Sequence, residues 1–383
     1  MARSRRSRHR RYELQSGELN QLVESLVERA QAESGLSGGA EHVRQLVVSA
    51  IRLAQDGTPE GEIKLLNNAL KELRHALRVF APYRYVRKVA VFGSARTAPE
   101  HPDWKQAFAF AERMVEADWM VITGAGGGIM GAAQGGAGRE ASFGVNIRLP
   151  FEQRANEVIQ GDPKLINFRY FFTRKLTFVK EAHAIALFPG GFGTHDEGFE
   201  TLTLIQTGKS EILPVVFIDA PGGTYWKDWA AYVESHLCSR ELIGRDDLSL
   251  FKITDDVDVA VDEIARFYRN YHSSRWVGDR LVLRVRRAPD PAQLELLNEE
   301  FDDLLAEGGI EIRDALPQEG GEVSHLPRLV LRFDRRSVGR LRQLIDRLNT
   351  LAEAPPPVRD ASPHQIVALD LPPEAALAEE EAD

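Results

Sequence analysis

Cysteine is almost absent from this chain of 383 residues, and Cys238 stands alone. A single thiol excludes an internal disulfide and any cysteine-rich zinc site, and it suits a reducing cytoplasm. Long apolar runs are missing as well. No stretch approaches the ~20 residues that a membrane-spanning helix requires, and no basic-then-apolar leader pattern opens the chain. Histidines are present, but His101, His183 and His236 are scattered without metal-ligand spacing, so no metal is expected. Basic residues are missing from the last stretch, where Asp370 to Asp383 carries six acids, while the first twelve residues hold six arginines. These ends cancel, so the net charge of −9 belongs to the body of the chain. An acidic body disfavours nucleic acid as a general partner.

What is present is ordinary in bulk and specific in places. Apolar residues at 43% and charged residues at 27% suit a soluble globular protein, and the length suggests two or three domains. Residues 1–15 read as a solvated basic tail. Residues 16–82 show helical apolar spacing, cut by Gly35-Leu36-Ser37-Gly38-Gly39 and Gly57-Thr58-Pro59 into three helices with no evident chemistry.

From 83 to 272, strands and helices alternate. Strands are expected at Lys88–Phe92, Met120–Thr123, Gly144–Leu149, Ala184–Phe188, Val215–Ile218 and Phe251–Ile253. Helices are expected at Trp104–Ala117, Gly131–Ala141, Phe171–Glu181, Glu197–Thr207, Trp226–Leu237 and Asp256–Asn270. Such alternation predicts an α/β fold, a doubly wound Rossmann-like parallel sheet with ligands at the carboxyl ends of its strands.

Residues 278–370 change character. Strands near Arg280–Arg287, Gly309–Arg313, Arg328–Phe333 and Gln365–Leu369, with helices at Gln293–Leu305 and Val338–Leu351, give the order βαββαβ of a small ferredoxin-like α+β domain. Pro355-Pro356-Pro357 reads as a stiff loop before the last strand, and residues 371–383 as an acidic tail. This part holds no glycine loop or clustered carboxylates, so it is expected to regulate or assemble the protein.

The most informative stretch is Ala184-Ile185-Ala186-Leu187-Phe188-Pro189-Gly190-Gly191-Phe192-Gly193-Thr194-His195-Asp196-Glu197. It reads as a buried strand, a glycine turn, Thr194 as helix cap and Glu197 in the first helical turn. A strand, glycine turn and helix N-terminus together make a phosphate cradle. A carboxylate beside it calls for a chemical role. Gly124-Ala125-Gly126-Gly127-Gly128-Ile129-Met130-Gly131 offers a second glycine turn, and Gly93-Ser94-Ala95-Arg96 a third loop at a strand end. Gly126 to Gly131 also fits the dinucleotide fingerprint, with Glu152 about 20 residues on, but that fingerprint belongs to the first strand–helix turn.

The pattern Pro-Gly-Gly-x-Gly-Thr-x-x-Glu, with Arg174-Lys175 upstream on a helix, resembles the LOG family of nucleoside-monophosphate phosphoribohydrolases, long labelled lysine decarboxylases. Phe171-Phe172 before the basic pair is more similar to the larger bacterial nucleosidases than to the plant cytokinin-activating type, which has Met-His there. The resemblance covers roughly Val86 to Tyr271. It implies hydrolysis of the base–ribose bond of a nucleoside 5′-monophosphate, without a cofactor, by a homodimer or larger homo-oligomer. It also implies Glu197 as base and electrostatic stabiliser, with Arg174 positioning Glu197 and ribose and keeping the carboxylate ionised at neutral pH. Substrate contacts fall to Gly93, Ser94, Gly126, Gly127, Gly128, Met130, Lys175, Gly190, Gly191, Gly193 and Thr194; for Met130 and Phe171 the reading is open between a base contact and a core role. His195 and Asp196 fill the motif's variable positions and read as exposed helix-start residues. The alternative is a Rossmann-like protein that binds or senses a nucleotide without turning it over.

Overall fold

The computed structural model describes residues 12–34, 38–149, 154–321 and 323–351. Most of the basic tail, Glu152, Pro355-Pro356-Pro357, the expected strand at Gln365–Leu369 and the acidic tail lie outside these residues. The chain divides between Lys71 and Glu72 into two compact units.

In the first unit, helices α1 (Gly17–Ser34) and α2 (Ala40–Gln55) close on Leu14, Val23, Val27 and Val48. Arg44 is buried there because its guanidinium is fully engaged, donating to Glu41 at 2.8 Å and to the Tyr12 carbonyl at 2.7 Å. Helix α3 (Glu60–Phe80) begins in this unit and ends in the second.

The second unit is built on seven parallel strands: β1 (Lys88–Phe92), β2 (Met120–Thr123), β3 (Ser142–Ile147), β4 (Leu165–Phe168), β5 (Ala184–Leu187), β6 (Val215–Ile218) and β7 (Phe251–Thr254). Their order is β4-β3-β2-β1-β5-β6-β7. Every residue of β1, β2, β5 and β6 is buried, the outcome expected for apolar runs covered by helices on both faces. Those helices are α4 (Pro102–Glu116), α5 (Ile129–Ala137), α6 (Phe171–Glu181), α7 (Phe192–Gln206), α8 (Tyr225–Tyr232) and α9 (Val257–Phe267). The chain winds outward from β1 to β4, then returns to lay β5 against β1. That reversal opens a crevice at the carboxyl ends of β1 and β5, the place where doubly wound sheets bind ligands.

Strand β4 was not legible in sequence. Leu165-Ile166-Asn167-Phe168 is short and interrupted by a polar residue, and it pairs on one side only, with β3. An edge position tolerates this, and Asn167 accepts a hydrogen bond from the Asn146 amide at 3.0 Å. The helix expected through Ala141 stops at Ala137 because Gly138 turns the chain with φ of 73°.

A second sheet follows, antiparallel throughout: β8 (Tyr271–Val277), β9 (Arg280–Val285), β10 (Leu305–Arg313) and β11 (Arg328–Phe333), in the order β10-β11-β9-β8. Helices α10 (Pro291–Glu300) and α11 (Val338–Leu351) complete it. The first five elements of the ferredoxin-like order are therefore present as β9-α10-β10-β11-α11. The place beside β9 is held by β8, which reads in sequence as a mere connection. Its His272-Ser273-Ser274-Arg275 lacks the apolar alternation that marks a strand, so only pairing with β9 defines it. One hydrophobic core runs from the parallel sheet into this antiparallel one. Asn349 of α11 ties the two together, accepting from the backbone of Asn270 at 2.8 Å and Tyr271 at 2.9 Å and donating to the Phe267 carbonyl at 2.7 Å.

Candidate functional site

The loops after β1 and β5 are stitched to each other, for the Ser94 N–H donates to the Pro189 carbonyl at 3.1 Å. The Ser94 carbonyl in turn accepts from the Ile129 N–H at 3.0 Å, which joins the turn after β2 to the same point. Gly128 makes that approach possible. Its φ of +60° is unfavourable for other residues, and a Cβ there would collide with the Ser94 carbonyl. Asn156 fixes the rest of this turn. Its backbone N–H reaches the Ala125 carbonyl and its side-chain amide the Gly126 carbonyl, both at 2.9 Å. Gly93, Ser94, Gly126, Gly127 and Gly128 thus converge on the switch point with Gly190. Beside them lies a cleft of about 470 Å³ touched by Ser94, Arg96, Pro189 and Gly190.

The signature turn is shorter than its glycines suggest. The chain turns at Gly190 and at Gly191, which is the N-cap, and α7 is already helical at Phe192. Gly193 and Thr194 are therefore inside its first turn, and Glu197 sits in the second. This corrects the expectation of a Thr194 cap and a first-turn Glu197. The first amides of α7 lack intrahelical acceptors and point the positive end of the helix dipole toward the turn.

Arg174 comes from α6, and its Nε donates to the Val145 carbonyl of β3 at 3.0 Å. Its Nη2 is so close to Gly124 that a Cβ there would lie 2.6 Å away, and the Met130 sulfur is equally near at 2.8 Å. Met130, Gly124 and the guanidinium therefore form one wall. Glu197 is buried, 7% exposed, and no direct ion pair joins it to Arg174 among the described residues. The two interact through space: burial pushes the Glu197 carboxyl up to about 7, against the pull of Arg174 and Lys175. Glu200 and Asp196 push it in the same direction as burial. The expectation that Arg174 keeps this carboxylate ionised at neutral pH is thus corrected, since desolvation outweighs the arginine.

Lys175 is held away from a free role, with ion pairs to Asp196 and Glu200, each at 2.8 Å. Asp196 is exposed as expected, yet engaged. His195 is only half exposed: its Nε2 lies 2.6 Å from the Tyr225 hydroxyl, which donates to the Gly190 carbonyl at 2.5 Å. Tyr225 thereby braces the signature turn from α8. Glu72, in the second half of α3 and within the same unit, anchors the helix of Arg174, accepting from the Arg169 N–H at 2.9 Å and the Thr173 hydroxyl at 2.7 Å. Sequence reading missed Glu72, Asn156 and Tyr225. All three lie outside the motifs and meet the site only through the fold. Phe171 and Phe172 at the start of α6, and Phe192 at the start of α7, are exposed, Phe192 by 95%.

Comparison with known proteins finds similarity over part of the chain. No curated protein matches the sequence. Among solved structures, the chain is similar to the molybdenum cofactor carrier protein of Chlamydomonas reinhardtii, at 19% identity over 46% of this chain and 94% of that one, with a TM-score of 0.32. It is similar to the molybdenum cofactor binding protein of the phototrophic bacterium Rippkaea orientalis, at 18% identity over 46% and 91%, with a TM-score of 0.30. It is also similar to the structural-genomics target TM1055, at 18% identity over 46% and 96%, with a TM-score of 0.32. Among the described residues, no helix is long and apolar enough to cross a membrane. Residues 129–264 match the family described as "Possible lysine decarboxylase", a span that includes Arg174, Lys175 and the whole Gly190–Glu197 turn. It is this segment of the chain that is similar to the LOG-like, lysine-decarboxylase-type family.

Proposed function

We propose that the protein hydrolyses the N-glycosidic bond of a nucleoside 5′-monophosphate, releasing a free base and ribose 5-phosphate. The observation that carries this reading is Glu197: a buried carboxyl poised near 7, at the switch point, beside helix N-termini suited to a phosphate. Breaking the base–ribose bond develops positive charge at the anomeric carbon. The ionised Glu197 stabilises that charge and takes a proton from the attacking water, whose oxygen bonds to the anomeric carbon. The electron pair of the broken bond leaves with the base, which takes up a proton from solvent. A group titrating near the working pH suits proton transfer in this role. Backbone amides at the starts of α5 and α7 hold the 5′-phosphate, so that remote binding energy places the ribose. Arg174 sets the field at Glu197 and, with Met130, walls the base or ribose. No step calls for a cofactor.

The exposed aromatic rings of Phe171, Phe172 and Phe192 support self-association into a homodimer or larger homo-oligomer, checked by light scattering. The single cysteine and the nucleotide substrate support a cytoplasmic location. The test is to incubate the protein with a panel of nucleoside monophosphates and their nucleosides and to measure free base. Base is expected from one or more monophosphates and far more slowly from the matching nucleosides. Tight nucleotide binding without base release would replace this reading with a nucleotide sensor.

A further inference from the structure

At the opposite end of the parallel sheet from the candidate site lies a second cavity, of about 260 Å³. It opens where β1 begins, where α6 ends and just before β5. Arg84, Lys88 and Lys180 line it, against the single acid Glu181. Leu77, Phe80 and Ala81 make its other wall apolar. Lys88 is the unusual member. Its residue is 1% exposed, yet the one acceptor its ammonium reaches among the described residues is the Val86 carbonyl at 2.9 Å. An ammonium carries three donors, so two remain for an occupant of the cavity. Glu181, the acid lining the cavity, is already held by Lys180 at 2.5 Å.

A buried cation without a close counter-ion is costly, and the cost shows in the charge state. Burial pulls the Lys88 amine down to about 8, with Lys180 adding repulsion and Glu181 offsetting only part. An anion seated between Lys88 and Lys180 relieves both effects. The Phe80 ring, 6.0 Å from the Lys88 Nζ, offers apolar surface next to the charge.

We infer that this cavity is a binding site for a small organic anion, its acid group between Lys88 and Lys180 and its apolar body against Leu77, Phe80 and Ala81. The site is independent of the nucleotide reading, because β1, β5 and α6 present the candidate catalytic loops and Arg174 at their other ends or along their length.

Benzoate is the probe, with benzamide as its uncharged counterpart, and binding is followed by calorimetry or ligand-observed NMR on the full chain. Benzoate is expected to bind saturably to the wild type and to Glu197→Gln alike. Its affinity should fall at least tenfold in Lys88→Met and in Lys180→Met, and benzamide should bind at least tenfold more weakly. Between pH 7 and pH 9 benzoate affinity should fall as Lys88 loses its proton. Arg84, Lys180, Glu181 and His183 are the other charged or titratable groups lining the cavity. Should Lys88→Met fail to fold, Lys180→Met decides, because that side chain is partly exposed. Three results would overturn the assignment: no saturable benzoate binding, equal affinity in the lysine variants, or loss confined to Glu197→Gln, which would put the probe in the other site.

Discussion

Of the glutamates buried in the second unit, Glu197 and Glu319, one in each sheet region, behave oppositely. Glu319, in the loop before β11, is fully buried and takes Nε of Arg284 at 2.9 Å, Nε of Arg328 at 3.1 Å and the Leu316 N–H at 2.9 Å. Its backbone carbonyl accepts from Arg275 at 3.0 Å. Those donors hold its carboxyl below the usual range despite burial. Glu197 is nearly as buried, but the nearby cations are committed elsewhere: Arg174 to the Val145 carbonyl, Lys175 to Asp196 and Glu200. Its carboxyl rises to about 7. Burial alone therefore does not set the charge state, and donor geometry does. A carboxylate whose donors are all supplied by the protein stabilises structure. One left short of donors is available to substrate or water.

Replacing each glutamate by glutamine separates the two cases. Glu197→Gln should cut base release by about 10²–10⁴-fold, the usual scale for losing a positioned acid–base group, while nucleotide binding survives. Unchanged turnover would remove Glu197 from the reaction. Glu319→Gln should instead cost stability, about 3 kcal/mol, because Arg284 and Arg328 lose the charge that offsets theirs. Urea midpoints at constant slope measure it, and a neutral result would show the cluster to be dispensable for folding.

The same comparison predicts opposite signs with pH. Glu197 has its folded-state value raised from 4.5 to about 7, so the folded protein holds the extra proton between those values. The contribution of this group is fully present below pH 4.5 and is lost as pH rises through about 7. Glu197→Gln should then be more stable than wild type at pH 8, by up to roughly 3 kcal/mol, with the gain vanishing near pH 4. Thermal unfolding at both pH values checks this, and equal stability at pH 8 would mean the carboxylate is well solvated. If the ionised form is the active one, kcat/KM of the wild type should climb through about pH 7. The smallest effect is expected at the brace: Tyr225→Phe removes the bond to the Gly190 carbonyl and should raise KM a few-fold, about 1 kcal/mol, with little change in melting temperature.

Much of the parallel sheet could be read from sequence because its strands are unbroken apolar runs. Lys88–Phe92, Met120–Thr123 and Val215–Ile218 fall where periodicity puts them, whereas β4 and β8 do not. Those two are edge strands of their sheets, and their residues answer to a single neighbouring strand more than to a buried face. The helix start at Phe192 was hidden for a related reason. Glycine is a poor helix former, so Gly193 signals turn in sequence although α7 already includes it.

The sequence by itself determined the class of fold, the glycine turns and the identity of the charged residues near them, since apolar period and glycine placement are local properties of the chain. Tertiary structure alone decided which charges meet. Asn156 at the β2 turn, Glu72 beneath α6, Tyr225 at Gly190 and the commitment of Arg174 to Val145 all join residues distant in the chain. The charge state of Glu197 follows from those contacts, because desolvation and donor geometry are properties of packed neighbours that a linear sequence does not contain.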